Sequence, residues 1–427
     1  MTAGMPGTRG WPSIRLRFLF TEFDERVGAP SGDVPLLSVS IHRGVLPRTE
    51  MTELESRADD FTAYKRVAAG DIVVNRMRAF EGGAGISPVD GMVSSDYAVL
   101  RPGARLDGRY LHHLIRSRWF VGEMIARLRG IGNIEVGNVR TPRINVDDLG
   151  DIRIGLPDRR EQRAIADYLD AEVARIDSLA AVRRRSVDLA RERFAASVWW
   201  ATTKGVTHGP WRGSGLEWVG GIPAHWGTPA VGLMFEVQLG KMLNSDATAS
   251  GKQHPYLRNE NVQWDRIDLD DLNRMHFDAA DRLRYGLRNG DLLVCEGGEV
   301  GRAAMWRGEL PDCYYQKALH RVRARRSGNV RFLMYVLRAA RERGVFTTEG
   351  NTSTIVHLTA EKLRSHRFPC PPTREQDNIV EFLDREAARI RVTEQAVERQ
   401  IALLTERRQA LITAAVTGHL EIPGVAA

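Results

Sequence analysis

The chain repeats itself at half its length, and no other feature constrains its fold as strongly. Residues 157–176 and 371–390 align at an offset of 214 positions with 11 of 20 identical, from Pro157 and Pro371 through the shared Arg-Glu-Gln to Ile176 and Ile390. Agreement continues more weakly to Glu192-Arg193 and Glu406-Arg407. A fainter echo precedes each copy. Gly70-Asp71-Ile72-Val73-Val74 resembles Gly290-Asp291-Leu292-Leu293-Val294, and Gly132-Asn133 matches Gly350-Asn351. A chain of 427 residues built this way is two copies of one unit, each a variable segment followed by a repeated one.

The repeated segments read as long helices. Each opens after a proline with a glutamate in the first turn, where a negative charge suits the helix dipole. Leu383, Ile390, Val397, Leu404 and Leu411 recur every seven residues, as do Val173, Ala180, Val187 and Phe194. Sustained heptads flanked by charges such as Arg183 and Arg408 predict that the two helices pair as an antiparallel coiled coil. Two unrelated surface helices, each packed on its own domain, are the alternative.

The variable segments are mixed. Short apolar runs after Gly-Asp, at 72–74 and 292–294, predict buried strands, as do 97–100 and 318–322. Residues 110–128 and 330–342 have helical periodicity, and 205–227, rich in Gly, Pro and Trp, reads as a linker. The predicted fold class is α+β: two similar α/β domains separated by the two long helices. The boundaries are 1–156, first domain; 157–204, first helix; 205–226, linker; 227–370, second domain; 371–418, second helix; 419–427, tail.

Composition allows an ordinary globular protein, with 43% hydrophobic residues and a net charge of +7. No apolar run is long enough for a membrane span, the first ten residues hold no signal-peptide core, and three cysteines build no disulfide framework. A cytoplasmic protein is expected. Chemistry is sparse. The single Pro-Pro, in Cys370-Pro371-Pro372-Thr373, lacks the polar and aromatic flanks of an amino-methyltransferase tetrad. No GxGxxG or GxxxxGK[ST] cradle exists. Pro311-Asp312 with Gln316-Lys317 is too compact for a nuclease site, and His112-His113 read as core or solvated histidines. No catalytic residue and no metal ligand is assigned.

Recognition chemistry remains. Arg76 and Arg78 follow a strand, and Lys241, Asn244, Lys252, Arg258, Asn259 and Asn261 cluster beside Tyr256 and Trp264, with Lys317 further on. Arginine and lysine suit guanine edges and phosphates, and asparagine suits adenine. For any one of them, a solvated surface charge is the simpler assignment.

These residues resemble the specificity subunits of type I restriction–modification systems. The resemblance rests on the doubled Pro…Glu-Gln…Ile…Leu, on Gly215-Leu216-Glu217-Trp218 with Pro223-Ala224-His225-Trp226, and on Ala414-Ala415-Val416-Thr417-Gly418. It spans nearly the whole chain, although the first domain lacks a Glu-Trp…His-Trp opening. It implies two target-recognition domains, each reading half of a bipartite site in double-stranded DNA. The helices would dock two methyltransferase subunits, with Glu161, Gln162, Glu375 and Gln376 as docking residues. S-adenosylmethionine would sit on the methyltransferase and no cofactor on this chain, and translocating nuclease subunits would complete a phage-defence complex. The alternatives are a specificity factor of a related defence system and a self-contained methyltransferase or nuclease.

Overall fold

The computed structural model describes residues 10–28, 34–41, 43–51, 61–128, 143–206, 209–242, 252–325, 328–346 and 357–425. The chain divides into two compact units, Met1–Arg183 with Glu398–Ala427, and Arg184–Val397. Both cuts fall inside the long helices.

Unit 1 holds strands β1 (Phe20–Glu22), β2 (Ile72–Asn75), β3 (Ala84–Ile86) and β4 (Tyr97–Pro102), followed by helices α1 (Gly108–Ile115) and α2 (Arg118–Ile125). The first long helix is α3 (Arg159–Lys204). Unit 2 holds β5 (Phe235–Leu239), β6 (Gln253–Leu257), β7 (Asn273–His276), β8 (Leu292–Cys295), β9 (Ala303–Met305), β10 (Tyr314–Tyr315), β11 (Leu319–Ala324) and α4 (Val330–Glu342). The second long helix is α5 (Thr373–Val416).

The duplication seen in the sequence is a duplication of topology. Unit 1 has a four-stranded antiparallel sheet in the order β1-β4-β2-β3, and unit 2 has the same sheet as β5-β11-β8-β9. The Gly-Asp echo has a local cause. Gly70 and Gly290 take φ of +90° and +91°, where only glycine is unstrained, and a side chain there would meet nothing. The next residue turns its carboxylate back on the loop: Asp71 accepts from the Ala68 N–H at 2.9 Å and Asp291 from the Arg288 N–H at 2.8 Å. Each buried carboxylate is then met from the neighbouring strand by Arg101 (two bonds of 2.9 Å) or by Arg323 (Nη2 at 2.8 Å, with Nε closer). The hydrophobic strand that follows is wholly buried in each copy.

Each sheet domain is closed by a short antiparallel neck. Ser13–Arg15 pairs with Arg153–Gly155 in unit 1, and Gly227 exchanges hydrogen bonds of 3.0 and 2.9 Å with Cys370 in unit 2.

The Glu-Gln pair explains itself at this junction. Gln162 is fully buried; its Oε1 accepts from the Asp107 N–H (2.7 Å), while Nε2 donates to Pro157 O (2.8 Å) and Arg105 O (3.0 Å). Gln376 repeats this with the Asn329 N–H (3.0 Å) and Pro371 O (2.8 Å). A glutamine is required because the site demands a donor and an acceptor from one planar group. Asp107 and Asn329 cap α1 and α4, so each latch joins the start of a long helix to the start of the helix that leaves the sheet.

Heptad residues face inward as expected: Val173, Ala180, Val187, Phe194, Leu383 and Val397 are buried, and Ile390, Leu404 and Leu411 are half-buried. In unit 1, Ile165 and Leu169 share a core with Ile412 and Val416, and Arg408 reaches Asp177 at 3.3 Å. In unit 2, Phe194 and Val198 share a core with Ile379 and Leu383, and Arg191 bonds Glu394 at 2.7 Å. Within each unit the segments therefore run antiparallel.

Two readings of the sequence change. The helical stretch 110–128 is two helices, because Ser117 ends the first through its hydroxyl on Leu114 O (2.7 Å) and caps the second at the Phe120 N–H (3.2 Å). Residues 205–227 are no free linker: Trp211–Gly213 pairs with Gly221–Pro223, and Ile222 and Trp226 are buried in the unit 2 core. His225 and Trp226 both donate to Glu375, at 2.8 and 3.1 Å, which explains the His-Trp motif. Gly132-Asn133 and Gly350-Asn351 lie outside the described residues.

Candidate nucleic-acid interface

The structure sorts the predicted recognition residues by where their charge is used. Arg76 turns inward, with Nε on Ile144 O (3.1 Å) and Nη2 on Asn145 Oδ1 (3.1 Å), and so fastens the strand end to the segment after residue 142. Arg258 is held by Asp271 (3.0 Å) and Glu260. Asn261 is buried and supports its turn, accepting from the Arg258 N–H (2.8 Å) and donating to Asp268 O and Asp271 O (both 3.1 Å). Asn259 donates to Gly297 O at 2.7 Å. Lys241 donates to Asp281 and to His276 O (3.0 Å), above the Phe277 ring. These five build the frame. Arg78 is exposed but paired with Glu81 at 2.6 Å. Lys252 and Lys317 are exposed and make no ion pair among the described residues. Asn244 lies outside them.

Unit 2 gathers a basic face that sequence reading missed. A small sheet of order β7-β6-β10 covers Tyr256, Met275, Phe277 and Tyr314, with Tyr314 stacked on Phe277 at 4.3 Å. His254 is buried edge-on against Tyr314, and exposed Lys252, Arg282 and Arg274 surround it. Burial first, and then the charges of Lys252, Arg282 and Arg274 against an opposing pull from Asp312, hold the His254 imidazole below its ordinary range. Its ring serves packing, and the outward charge belongs to the lysine and arginines. Alternation along β7, where Arg274 is exposed and Met275 buried, was the available signal.

The docking residues need correction. Gln162 and Gln376 are spent inside, and Glu375 holds His225 and Trp226, so none of the three presents a free group to a partner. Glu161 forms a capping box with Asp158, at 2.8 and 3.1 Å. Apolar surface appears elsewhere: a groove of about 620 Å³ at the end of α3, lined by Trp199, Trp200, Trp211, Phe382, Lys204 and Arg343. Trp200 and Trp211 are about half exposed.

Neither histidine of the His112-His113 pair faces solvent for chemistry. His112 is pulled down to about 3 by burial and then by the Arg116 charge, and its Nδ1 accepts from the Ile86 N–H at 3.1 Å. His113 bonds Asp170 at 2.7 Å. Among the described residues, no group of three His, Cys, Asp or Glu could hold a metal ion, and no helix is long and apolar enough to cross a membrane.

One acidic node carries a measurable consequence. Asp265 accepts from Arg331 at 2.8 and 2.9 Å and from Arg307 at 2.6 Å. Burial alone would raise its carboxyl, but hydrogen bonds and charge from these arginines overcome that and hold it below the usual range. A carboxyl lowered on folding stabilises above its unfolded value, about 3.9, and loses that contribution as pH falls through the folded value. Asp265→Asn is therefore expected to cost roughly 1–3 kcal/mol at pH 7. In thermal melts the variant and parent should converge as pH falls through the lowered folded value of Asp265, where the parent's contribution fades.

Comparison with known proteins places this architecture. Residues 223–401 match the family model described as the type I restriction modification DNA specificity domain. The type I restriction enzyme EcoKI specificity subunit of Escherichia coli (strain K12) is 24% identical over 336 residues, covering 75% of this chain and 68% of that one. The StySPI specificity subunit of Salmonella potsdam is 22% identical over 339 residues, 75% and 67% of the two chains. The EcoBI specificity subunit of Escherichia coli is 40% identical over 72 residues, 16% and 15% of the two. Among solved structures, a chain from a study of complex assembly and conformational transition of the type I R-M system superposes with a TM-score of 0.69 at 19% identity, covering 98% and 100%. The HsdS subunit from Thermoanaerobacter tengcongensis gives 0.50 at 18%, covering 98% and 99%. The two structures share the fold, residues 223–401 match a type I restriction modification DNA specificity domain, and three quarters of the chain is similar to specificity subunits of type I restriction enzymes.

Proposed function

We propose that this chain is the DNA-reading subunit of a type I complex and performs no chemistry itself. Each sheet domain reads one half of a bipartite site, and methyltransferase subunits dock on the helices and bring S-adenosylmethionine. Nuclease subunits join the same assembly when it restricts. The observation that carries this reading is one sheet topology, one neck and one glutamine latch built twice, with different side chains after the equivalent strands: Arg76-Met77-Arg78 after β2 against Glu296-Gly297-Gly298 after β8. A duplicated frame with divergent loops suits two readers of different sequences. Domain boundaries at 156, 204, 226, 370 and 418 suit the same division of labour.

In the second domain, Lys252, Lys317, Arg274 and Arg282 are the candidates to meet DNA: all four are exposed and make no ion pair among the described residues, although Arg274 and Arg282 each donate once to a backbone carbonyl, Gln253 O at 3.2 Å and Phe277 O at 2.9 Å. Phosphates account for much of such binding, and exposed lysines and arginines supply it. For docking, the tryptophan groove at the end of α3 replaces the four Glu-Gln residues, because exposed indoles beside apolar walls are typical of protein contacts. The test is methylome sequencing of a host carrying this chain with a partner methyltransferase and with the chain alone. Methylated adenines in one bipartite motif, only when both are present, are expected. Methyl transfer by the purified chain alone would overturn the reading.

A further inference from the structure

Each sheet domain is fastened to its long helix by apolar packing and by a few directed polar bonds. The polar bonds keep their positions in both copies, and the chemistry of one of them changes. In unit 1, Asp170 of α3 accepts from Arg109 Nη1 at 3.0 Å and from His113 Nε2 at 2.7 Å, both on α1. In unit 2, Asp384 of α5 accepts from Arg331 Nε at 2.8 and 2.7 Å and from the Tyr335 hydroxyl at 2.5 Å, both on α4. Asp170 and Asp384 stand 214 positions apart, as do the glutamines of the latches. Their donors, one helical turn apart on each short helix, stand 222 positions apart. The first donor is an arginine in both copies, whereas the second is an imidazole in one and a phenol in the other, so at that second position the place of the bond is kept and not the group that makes it.

Apolar contact is non-directional and permits rocking, whereas a hydrogen bond fixes distance and angle. Gln162 and Gln376 pin the first turn of each long helix. Asp170 and Asp384 pin it again eight residues on, about 12 Å along the axis. Two fixed points define a direction.

We propose that Asp170 and Asp384 are positioning residues. With the glutamine latches they set the pitch at which each recognition domain is held on its helix, and so restrict the spacer length that a bipartite site can have. This rests on the bipartite reading above; neither residue touches DNA. In unit 2, Arg331 also grips Asp265, in the turn between Val262–Gln263 and Arg266–Ile267. Weakening its bond to Asp384 therefore leaves α4 tied to its own domain, and the domain can fold with its pitch released.

The experiment is methylome sequencing with the full chain and its methyltransferase partner, comparing wild type, Asp384→Asn and Tyr335→Phe. Tyr335→Phe keeps the ring in the core and deletes only the hydroxyl. Both half-sites should be unchanged. Methylation of sites whose spacer is one base pair longer or shorter should rise about fivefold relative to the original spacer, the factor for one hydrogen bond of about 1 kcal/mol. A variant that is only less stable would lose methylation at all sites alike and keep a strict spacer. That result in Tyr335→Phe overturns the proposal, even where Asp384→Asn fails to accumulate. A wild-type motif that is not bipartite overturns the underlying reading and the proposal together, whereas a bipartite motif equally strict in both variants overturns the pitch role alone.

Discussion

Exchanging residues 227–368 for the matching stretch of a relative is expected to change one half of the methylated motif and leave the other half intact. The neck makes this graft feasible. Gly227 and Cys370 exchange backbone hydrogen bonds, so the insert leaves and re-enters at adjacent points and its replacement need not stretch the chain. The graft must also bring what the recipient expects: a residue at 329 that keeps its backbone N–H for Gln376, hence not proline, and donors for Asp384 at 331 and 335. A relative with those three features should dock at the same pitch. Each mismatched base pair costs about 1–3 kcal/mol, so a half-site of a few pairs should switch preference by roughly a thousandfold or more. Methylome sequencing of the chimera reads this directly. Both halves changing, or neither, would defeat the division of labour between the domains.

The sequence exposed the frame more readily than the site, for reasons that differ residue by residue. Gly70 and Gly290 were legible because a positive φ is a local demand that only glycine meets cheaply. The heptads were legible because a seam repeats, and the buried strands because β-branched and apolar runs after a turn have few other uses. The Glu-Gln pair was visible as a repeat but not as a latch. The partner of Gln162 is a backbone N–H more than fifty residues away, and a backbone group leaves no trace in residue identity. Arg76 and Arg258 looked like reading residues for the same reason: their acceptors, Ile144 O and Asp271, are set by tertiary folding. The basic face around His254 was hidden in the opposite way. Arg274 and Arg282 are ordinary surface charges in sequence, and only the packing of β7 and the following helix brings them beside Lys252. Residues 205–227 read as a linker because Gly and Pro are dense there, but Trp226 carries enough apolar surface to fold the stretch onto the core.

Lengthening the helices should change the spacer, but only when both helices are lengthened. Arg191 bonds Glu394 in one unit and Arg408 bonds Asp177 in the other. Each pair sets an antiparallel register within its own unit, and the two pairs are offset by the same fourteen residues in opposite directions along the chain. A seven-residue insertion between Ala180 and Val187 alone would leave two turns of α3 without a matching stretch of α5. The same insertion paired with one between Glu398 and Thr405 would restore the register, and seven residues nearly complete two turns, so the apolar seam keeps its facing. The paired insertion adds about 10 Å of helix. Under the proposed division of labour, the half-site bases stay as they are and the unread spacer grows by roughly one to three base pairs, since DNA advances about 34 Å per turn and rotates as it lengthens. Bending or twisting the DNA to fit would cost a few kcal/mol, so a weaker complex is compatible with the mechanism. The single insertion should lose most of its methylation through helix mispairing, and the paired one should recover it at the longer spacer. An active paired variant that still methylates only the original spacer would show that the helices dock the methyltransferase without measuring the DNA.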